Sequence, residues 1–312
     1  MAALNFTFSD PSAFILTGIP GLEAAHLWIS IPFSLCYIIS FLGNVMLLFL
    51  VAKEQSLHKP MYLLLCMLAL TDIVTSSSVM PKALCIFWFN LKDITLVGCL
   101  TQMFFLHSVS VMQSAVLVAM AFDHYVAICN PLRYFTILSN TRIAILGLVC
   151  LVRGVLFILP LPVILSRLPF CDNHIIPHTY CENIAVVNLS CGDTTVNRMH
   201  SLVIMILITG LDLSLIALSY SLIIRAILRI SSREAHQKAR NTCTAHLCAL
   251  LLYCTPNLIS NLSRRFSQGI APHINIILSN LYLLIPPMLN PIIYGFHTKE
   301  LCEWVVKYIC RS

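Results

Sequence analysis

Apolar residues run in seven long blocks along the chain, parted by short polar stretches. Each is near the roughly 20 residues a helix needs to span a bilayer. They fall at Leu27–Val51, Met61–Val79, Gly98–Ile128, Ile143–Leu165, Ser201–Ile230, Thr242–Leu262 and Ile274–Phe296. The third and fifth exceed the hydrocarbon thickness and are expected to tilt or to project into the cytoplasm. After the seventh, Lys299–Ile309 is amphipathic: Leu301, Trp304, Val305 and Tyr308 share one face, with Glu300, Glu303 and Lys307 opposite. Such a segment is expected to lie on the membrane surface. The pattern predicts an all-α fold, a seven-transmembrane helix bundle with a short C-terminal amphipathic helix. No repeat or linker divides it. One domain is expected over residues 1–312: an extracellular segment 1–26, the bundle 27–296 and a cytoplasmic tail 297–312.

Composition agrees with a chain whose main solvent is lipid. Hydrophobic residues make up 58% and charged residues 10%, with a mean hydropathy of +0.87; soluble domains carry about 25% charged residues. The net charge of +6 is spread through short loops and helix ends, so no compact basic surface for nucleic acid is expected. Its distribution orients the chain. One side of the blocks receives Lys53, Lys59, Arg133, Arg142, Arg225, Arg229, Arg233, Lys238, Arg240, Lys299, Lys307 and Arg311. The other receives only Lys82, Lys92, Arg167, Arg198, Arg264 and Arg265. By the positive-inside rule the N-terminus is outside and the C-terminus inside. Met1–Ala25 has neither Lys or Arg nor an apolar run, so the first helix is expected to serve as its own insertion signal.

This orientation sorts the modification chemistry. The sequon Asn5-Phe6-Thr7 is luminal and open to glycosylation. Asn188-Leu189-Ser190 is luminal too, whereas Asn261-Leu262-Ser263 lies at a helix end close to the bilayer. Of fourteen cysteines most sit in apolar blocks as small buried hydrophobes. Cys99, Cys171, Cys181 and Cys191 share the oxidising side and allow three pairings. Cys302 and Cys310 lie inside near the membrane, as acylation sites or as plain thiols.

Polar residues inside apolar blocks are costly and usually functional. Asn44, Asp72 and Asn290 are such residues. Arg153 and Asp212 are charges at membrane depth, read as a structural pair or as snorkelling side chains. Pro291 interrupts the seventh helix beside Tyr294, a place for a packing switch. Met120–Tyr134 closes the third block with Asp123, His124 and Tyr125, then breaks at Asn130-Pro131.

Gly43-Asn44, Lys59-Pro60-Met61-Tyr62, Leu70-Thr71-Asp72, Met120–Tyr134, Ser219-Tyr220, Lys238-Ala239-Arg240-Asn241-Thr242-Cys243 and Pro287–Tyr294 occur in this order along nearly the whole chain. Together they resemble an olfactory receptor of the rhodopsin-like G-protein-coupled receptor family. The loop Pro177-His178-Thr179-Tyr180-Cys181-Glu182 resembles the class I (fish-like) branch. The resemblance implies a multi-pass plasma-membrane receptor, in sensory cilia if olfactory, that is no enzyme and needs no cofactor. A small odorant, a carboxylic acid or a similar oxygenated aliphatic, would bind in the luminal half. A stimulatory G protein would then raise cAMP. The alternatives are an acid-metabolite receptor of the same fold in another tissue and a small-solute transporter. A transporter usually shows internal repeats or interrupted helix pairs, which are missing here. The sequence also lacks the His-Glu-x-x-His and Gly-x-Ser-x-Gly enzyme motifs.

Several roles follow from the resemblance alone. Cys99 would pair with Cys181, and Cys171 with Cys191. Asn44, Asp72 and Asn290 would form a polar cluster that holds a sodium ion, or that is hydrogen-bonded without one. The ligand anchor would be Arg265 of the Arg265-Phe266 pair, with Asn261 one turn deeper and His107 and Ser110 facing the same cavity. Arg265 reads alternatively as a headgroup-level arginine or as a partner of Glu182 or Asp193, and His107 as a core histidine. Leu106 stands where amine receptors carry a carboxylate, so a cationic ligand has no anchor. An arginine fork suits a carboxylate. His178, Cys181 and Glu182 form a pattern suggested as a metal site, but a cysteine in a disulfide offers no thiolate, so no metal is expected there. Asp123, Tyr125, Tyr220, Lys238 and Tyr294 would serve activation and the G protein, which enters as the inner ends of the third, fifth and sixth helices part.

Two positions depart from the family. Cys254, with Tyr253 beside it, replaces the usual aromatic two residues before Pro256. His124 replaces the arginine of the Asp-Arg-Tyr triplet. Histidine is shorter, lacks the fork and has a reference pKa near 6.5, so weaker coupling and a looser resting lock are expected.

Overall fold

The structure is a computed structural model that describes residues 13–171, 174–229, 237, 240, 243–255, 272–297 and 299–309. The sequon asparagine Asn5 lies outside the described residues. The membrane-spanning helices are α1 (His26–Lys53), α2 (Pro60–Phe89), α3 (Leu96–Cys129), α5 (Asn140–Ile158) continued by α6 (Pro160–Leu165), α8 (Thr195–Ile227), α9 (Cys243–Thr255) and α10 (Pro272–His297). Six of these spans are long and apolar enough to cross a membrane, and α9 is a shorter apolar helix. Short helices α4 (Tyr134–Ile137) and α7 (Asn183–Val187) lie in loops, and α11 (Lys299–Ile309) follows the last span. This is a seven-helix bundle.

Local chemistry sets the helix ends. Pro60 opens α2 at a first-turn position, where its missing N–H costs nothing. Thr95 caps α3 by accepting from the Gly98 N–H, and Ser139 caps α5 by accepting from the Arg142 N–H. Pro160 begins a new helix after Ile158, which divides the fourth span in two.

Two ends differ from the sequence reading. The second span continues past Val79 to Phe89, through Pro81. Met80-Pro81-Lys82 reads as a stop, yet the helix carries on and the Lys82 ammonium reaches out to the carbonyls of Leu91 and Asp93, at 2.8 and 2.7 Å. Asn90 then ends it in the left-handed region, φ 53°. The fifth span begins at Thr195, above the expected Ser201.

The luminal face carries a small sheet absent from the all-helical reading. Strand β1 (Ala13–Leu16) lies between β2 (Asp93–Thr95), antiparallel to it, and β3 (Ile175–Ile176), parallel to it. Phe14, Leu16 and Ile19 point into the luminal core and are fully buried, so the N-terminal segment seals the extracellular end. Phe14 meets Phe170 edge-on at 5.2 Å. The turn after β1 passes so close to the His26 ring that Gly18, at φ +80°, has no room for a side chain.

The core divides into a luminal cluster around Met80, Met103 and Ile176, and a cytoplasmic cluster around Leu64, Leu65 and Met120. The outer flanks of α1 and α8 are exposed leucine, isoleucine and valine, the surface a lipid-facing helix needs. Gly43 lets α1 approach Pro291 of α10, where an added Cβ would come within 2.9 Å of the ring. At the inner face α11 is moored by its own side chains. Leu301 is buried, Glu300 takes Lys59 at 2.6 Å and Tyr62 at 3.0 Å, and Tyr308 donates to Glu54 at 2.8 Å.

Candidate functional site

At the luminal end two disulfides close, Cys99–Cys181 and Cys171–Cys191. The first draws the loop before the fifth span onto α3. Gln102, one turn along α3, secures it by accepting from the Cys181 N–H at 2.9 Å and donating to the Ser78 carbonyl at 2.8 Å. Thr179 donates to Asn280 of α10 at 2.9 Å, so the loop crosses the mouth of the bundle from third to seventh span. Glu182 caps α7 by accepting from the Ala185 N–H. The luminal His178-x-x-Cys181-Glu182 pattern thus has its cysteine in a disulfide and its glutamate at a helix cap.

Below this lid, His107 and Ser110 lie one turn apart on α3, and Leu106 is buried in the luminal core. Ser110 lines an internal cavity with Thr75, Gln113, Tyr253, Tyr282 and Pro286, with room for about one water molecule. The Tyr253 hydroxyl donates to the Ser110 carbonyl at 2.9 Å, and its ring faces Tyr282. Tyr253, rather than its neighbour Cys254, is therefore the interior aromatic of the sixth span. Arg265 and Asn261, the other two expected ligand residues, lie outside the described residues, as does Lys238.

Gln113 joins this cavity to the polar core. Its amide donates to Asp72 Oδ1 at 2.7 Å, while Asn290 donates to Asp72 Oδ2 at 2.9 Å. Asn44 belongs to a separate contact: it donates to the Ser40 and Pro287 carbonyls at 2.8 and 2.9 Å. Both oxygens of the only carboxylate in the cluster thus have amide donors. Thr75 and Asn290 each keep a buried oxygen without a hydrogen bond, but the carboxylate oxygens a cation would need are already taken by the two amides. Gln113 went unnoticed in the sequence because an uncharged amide does not stand out there. Arg153 of α5 and Asp212 of α8 form a two-pronged ion pair, with both oxygens 2.9 Å from one guanidinium nitrogen.

At the cytoplasmic end Asp123 and His124 are both 2% exposed. Asp123 accepts from the Tyr134 hydroxyl at 2.7 Å and lies 3.4 Å from His124 Nδ1. Burial, then the Asp123 charge, push the Tyr134 phenol well above its usual range, so it stays a donor at physiological pH. Tyr220 of α8 is hydrogen-bonded to His246 Nδ1 at 2.9 Å and stacks on its ring. The His246 ring in turn faces His124, with centroids 5.1 Å apart. Tyr125 packs on Phe122 at the rim, and Tyr294 is buried in the adjoining core. The structure therefore links Tyr220 through His246 to His124, which lies beside Asp123.

A lid disulfide-bonded to the third span, an amide-bound aspartate at the core and a tyrosine–histidine cluster at the inner ends define a seven-helix membrane receptor of the G-protein-coupled class. A family model described as olfactory receptor matches residues 33–312. Olfactory receptor 52N4 of Homo sapiens is 50% identical over 313 residues, spanning 100% of this chain and 98% of that one. Olfactory receptor 52P1 of Homo sapiens is 50% identical over 307 residues (98% and 96% of the two chains), and Olfactory receptor 52K2 of Homo sapiens 49% over 312 (100% and 99%). The chain belongs to the olfactory receptor family. It is a multi-pass plasma-membrane receptor for an odorant, signals to a G protein and is not an enzyme.

Proposed function

We propose that this receptor responds to small carboxylic acids and related oxygenated aliphatics, held in its luminal half, and activates a stimulatory G protein that raises cAMP. The observation that carries the ligand class is the charge balance of the luminal end of the third and sixth spans. Leu106, apolar and buried, occupies the third-span position at which a cation would need a carboxylate. In the sequence pattern Arg264 and Arg265 follow the sixth apolar block on its luminal side, against the positive-inside trend. Arg265 is the anchor: its fork binds a carboxylate at two points. Asn261, His107 and Ser110 supply secondary polar contacts, and the apolar side chains around Val111, Ile158 and Ile208 favour an aliphatic tail.

Activation follows as a two-state shift. Ligand tightens the luminal half around the Ser110–Tyr253 contact, and the polar column through Gln113 and Asp72 carries the bias inward. The inner ends of α3, α8 and α9 then part, exposing Asp123, Tyr125, Tyr220 and Lys238 to the G protein. Replacing Arg265 by Ala tests the anchor. Responses to carboxylic acids are expected to fall by at least about tenfold in potency at unchanged surface expression, while alcohols of equal chain length lose little. A dose–response curve identical to the parent's would remove Arg265 from the site.

A further inference from the structure

We propose that His124 and His246 form a two-imidazole site for a transition-metal ion of the Zn2+ class, and that the bound ion ties the third span to the sixth at their inner ends. The two rings come from α3 and α9 and face each other nearly perpendicularly, at 83°, with centroids 5.1 Å apart. A tetrahedral ion holding two imidazole nitrogens at about 2.0–2.1 Å puts the ring centroids about 5 Å apart. The observed centroid spacing matches that of such a pair.

The nitrogens are in the state a ligand pair requires. His124 is 2% and His246 0% exposed. Both ring nitrogens of His124, and Nε2 of His246, are buried without a hydrogen-bond partner. Leaving such groups unsatisfied is costly, and a shared metal would satisfy two of them. The remaining nitrogen, His246 Nδ1, is held by the Tyr220 hydroxyl at 2.9 Å. In the tautomer that donates Nδ1–H to Tyr220, Nε2 presents its lone pair, and the tyrosine becomes the outer partner that orients a ligating histidine.

Two other groups face the pair. The Leu117 carbonyl lies by His246, and the Asp123 carboxylate, 3.4 Å from His124 Nδ1, places a negative charge beside the ion. Among the described residues no group of three or more His, Cys, Asp or Glu is placed to hold a metal, so the proposed site rests on the two imidazoles. Imidazole ligands select Zn2+ and its neighbours over Mg2+ or Ca2+. The site arises because histidine stands in the third span where an arginine would offer no lone pair.

Binding and consequence are tested separately on the full-length receptor in lipid nanodiscs, with Zn2+ as the probe and Mg2+ as the control ion. Zn2+ is expected to raise the Tm of the parent by about 2–4 °C, Mg2+ to leave it unchanged, and His124→Gln, His124→Arg and His246→Gln each to abolish the Zn2+ increment. Three variants at two positions keep the test decisive if one misfolds. An equal Zn2+ increment in parent and variants, from other thiols and imidazoles, would overturn the site, as would no increment in the parent. The latch rests on the two-state reading of activation: Zn2+ should lower agonist-stimulated nucleotide exchange on the G protein at least about fivefold, reversibly with a chelator. A Tm increment lost in the variants with unchanged exchange in the parent would keep the site and overturn the latch.

Discussion

His124 is the residue whose neighbourhood most changes what the sequence implies. An arginine would reach the Asp123 carboxylate with its fork. The imbalance left by histidine is visible: Asp123 takes its short hydrogen bond from Tyr134 at 2.7 Å, and His124 lies 3.4 Å away. The lock between third span and second inner loop is therefore a tyrosine–carboxylate bond. The Tyr134 phenol is held above its usual range, so its proton is bound more tightly in the folded protein. That contribution is full below tyrosine's ordinary value near 10 and is lost only above it. Basal activity should then stay flat between about pH 6 and 8 on account of Tyr134. Substituting His124→Arg restores a permanent charge beside Asp123. Agonist-stimulated cAMP should rise several-fold relative to basal cAMP at matched surface expression, and an unchanged ratio would show that histidine does not weaken coupling.

At the scale of elements, two contacts hold helices together at membrane depth. In the polar core Asp72 is saturated by the amides of Gln113 and Asn290, so the parent should respond weakly to sodium: replacing Na+ by a large organic cation shifts agonist potency by less than about twofold. Gln113→Glu sets a second carboxylate against Asp72, which calls for a cation or a proton. In that variant the sodium shift should reach about tenfold, and equal shifts in the two receptors would show that Gln113 does not decide cation binding. The second contact joins α5 to α8. Breaking a buried ion pair leaves an uncompensated charge, at about 3–5 kcal/mol. Asp212→Asn should therefore sharply reduce surface expression, and Arg153→Leu combined with Asp212→Leu should recover most of it. Equal loss in the single and double variants would indicate a role beyond pairing.

Over the whole molecule, the spans were legible because a bilayer imposes one loud rule, an apolar run of fixed length, and because the amphipathic face of α11 is periodic in its own residues. The luminal sheet was not. Its strands have four, three and two residues and pair segments as distant as Ile15 and Ile175, so no local alternation announces them. Pro81 and Lys82 hid the last turns of the second span, because a proline and a charge read as a boundary. In the same way the motif residues Asp72, Asp123 and Tyr220 stood out singly, while Gln113, Tyr134 and His246 gained meaning only from what packing placed against them. The four luminal cysteines allow three pairings by counting, and the fold places Cys99 against Cys181 and Cys171 against Cys191.

The ligand and the signal meet in one experiment. A panel of short- and medium-chain carboxylic acids, with alcohols and aldehydes of matched length, is applied to cells carrying the receptor and a stimulatory G protein, and cAMP is read for the parent and for Arg265→Ala. Acids should be the most potent class on the parent and should lose at least about tenfold in potency on the variant, with alcohols little changed. A cAMP response led by alcohols or aldehydes, and indifferent to Arg265, would contradict the assignment.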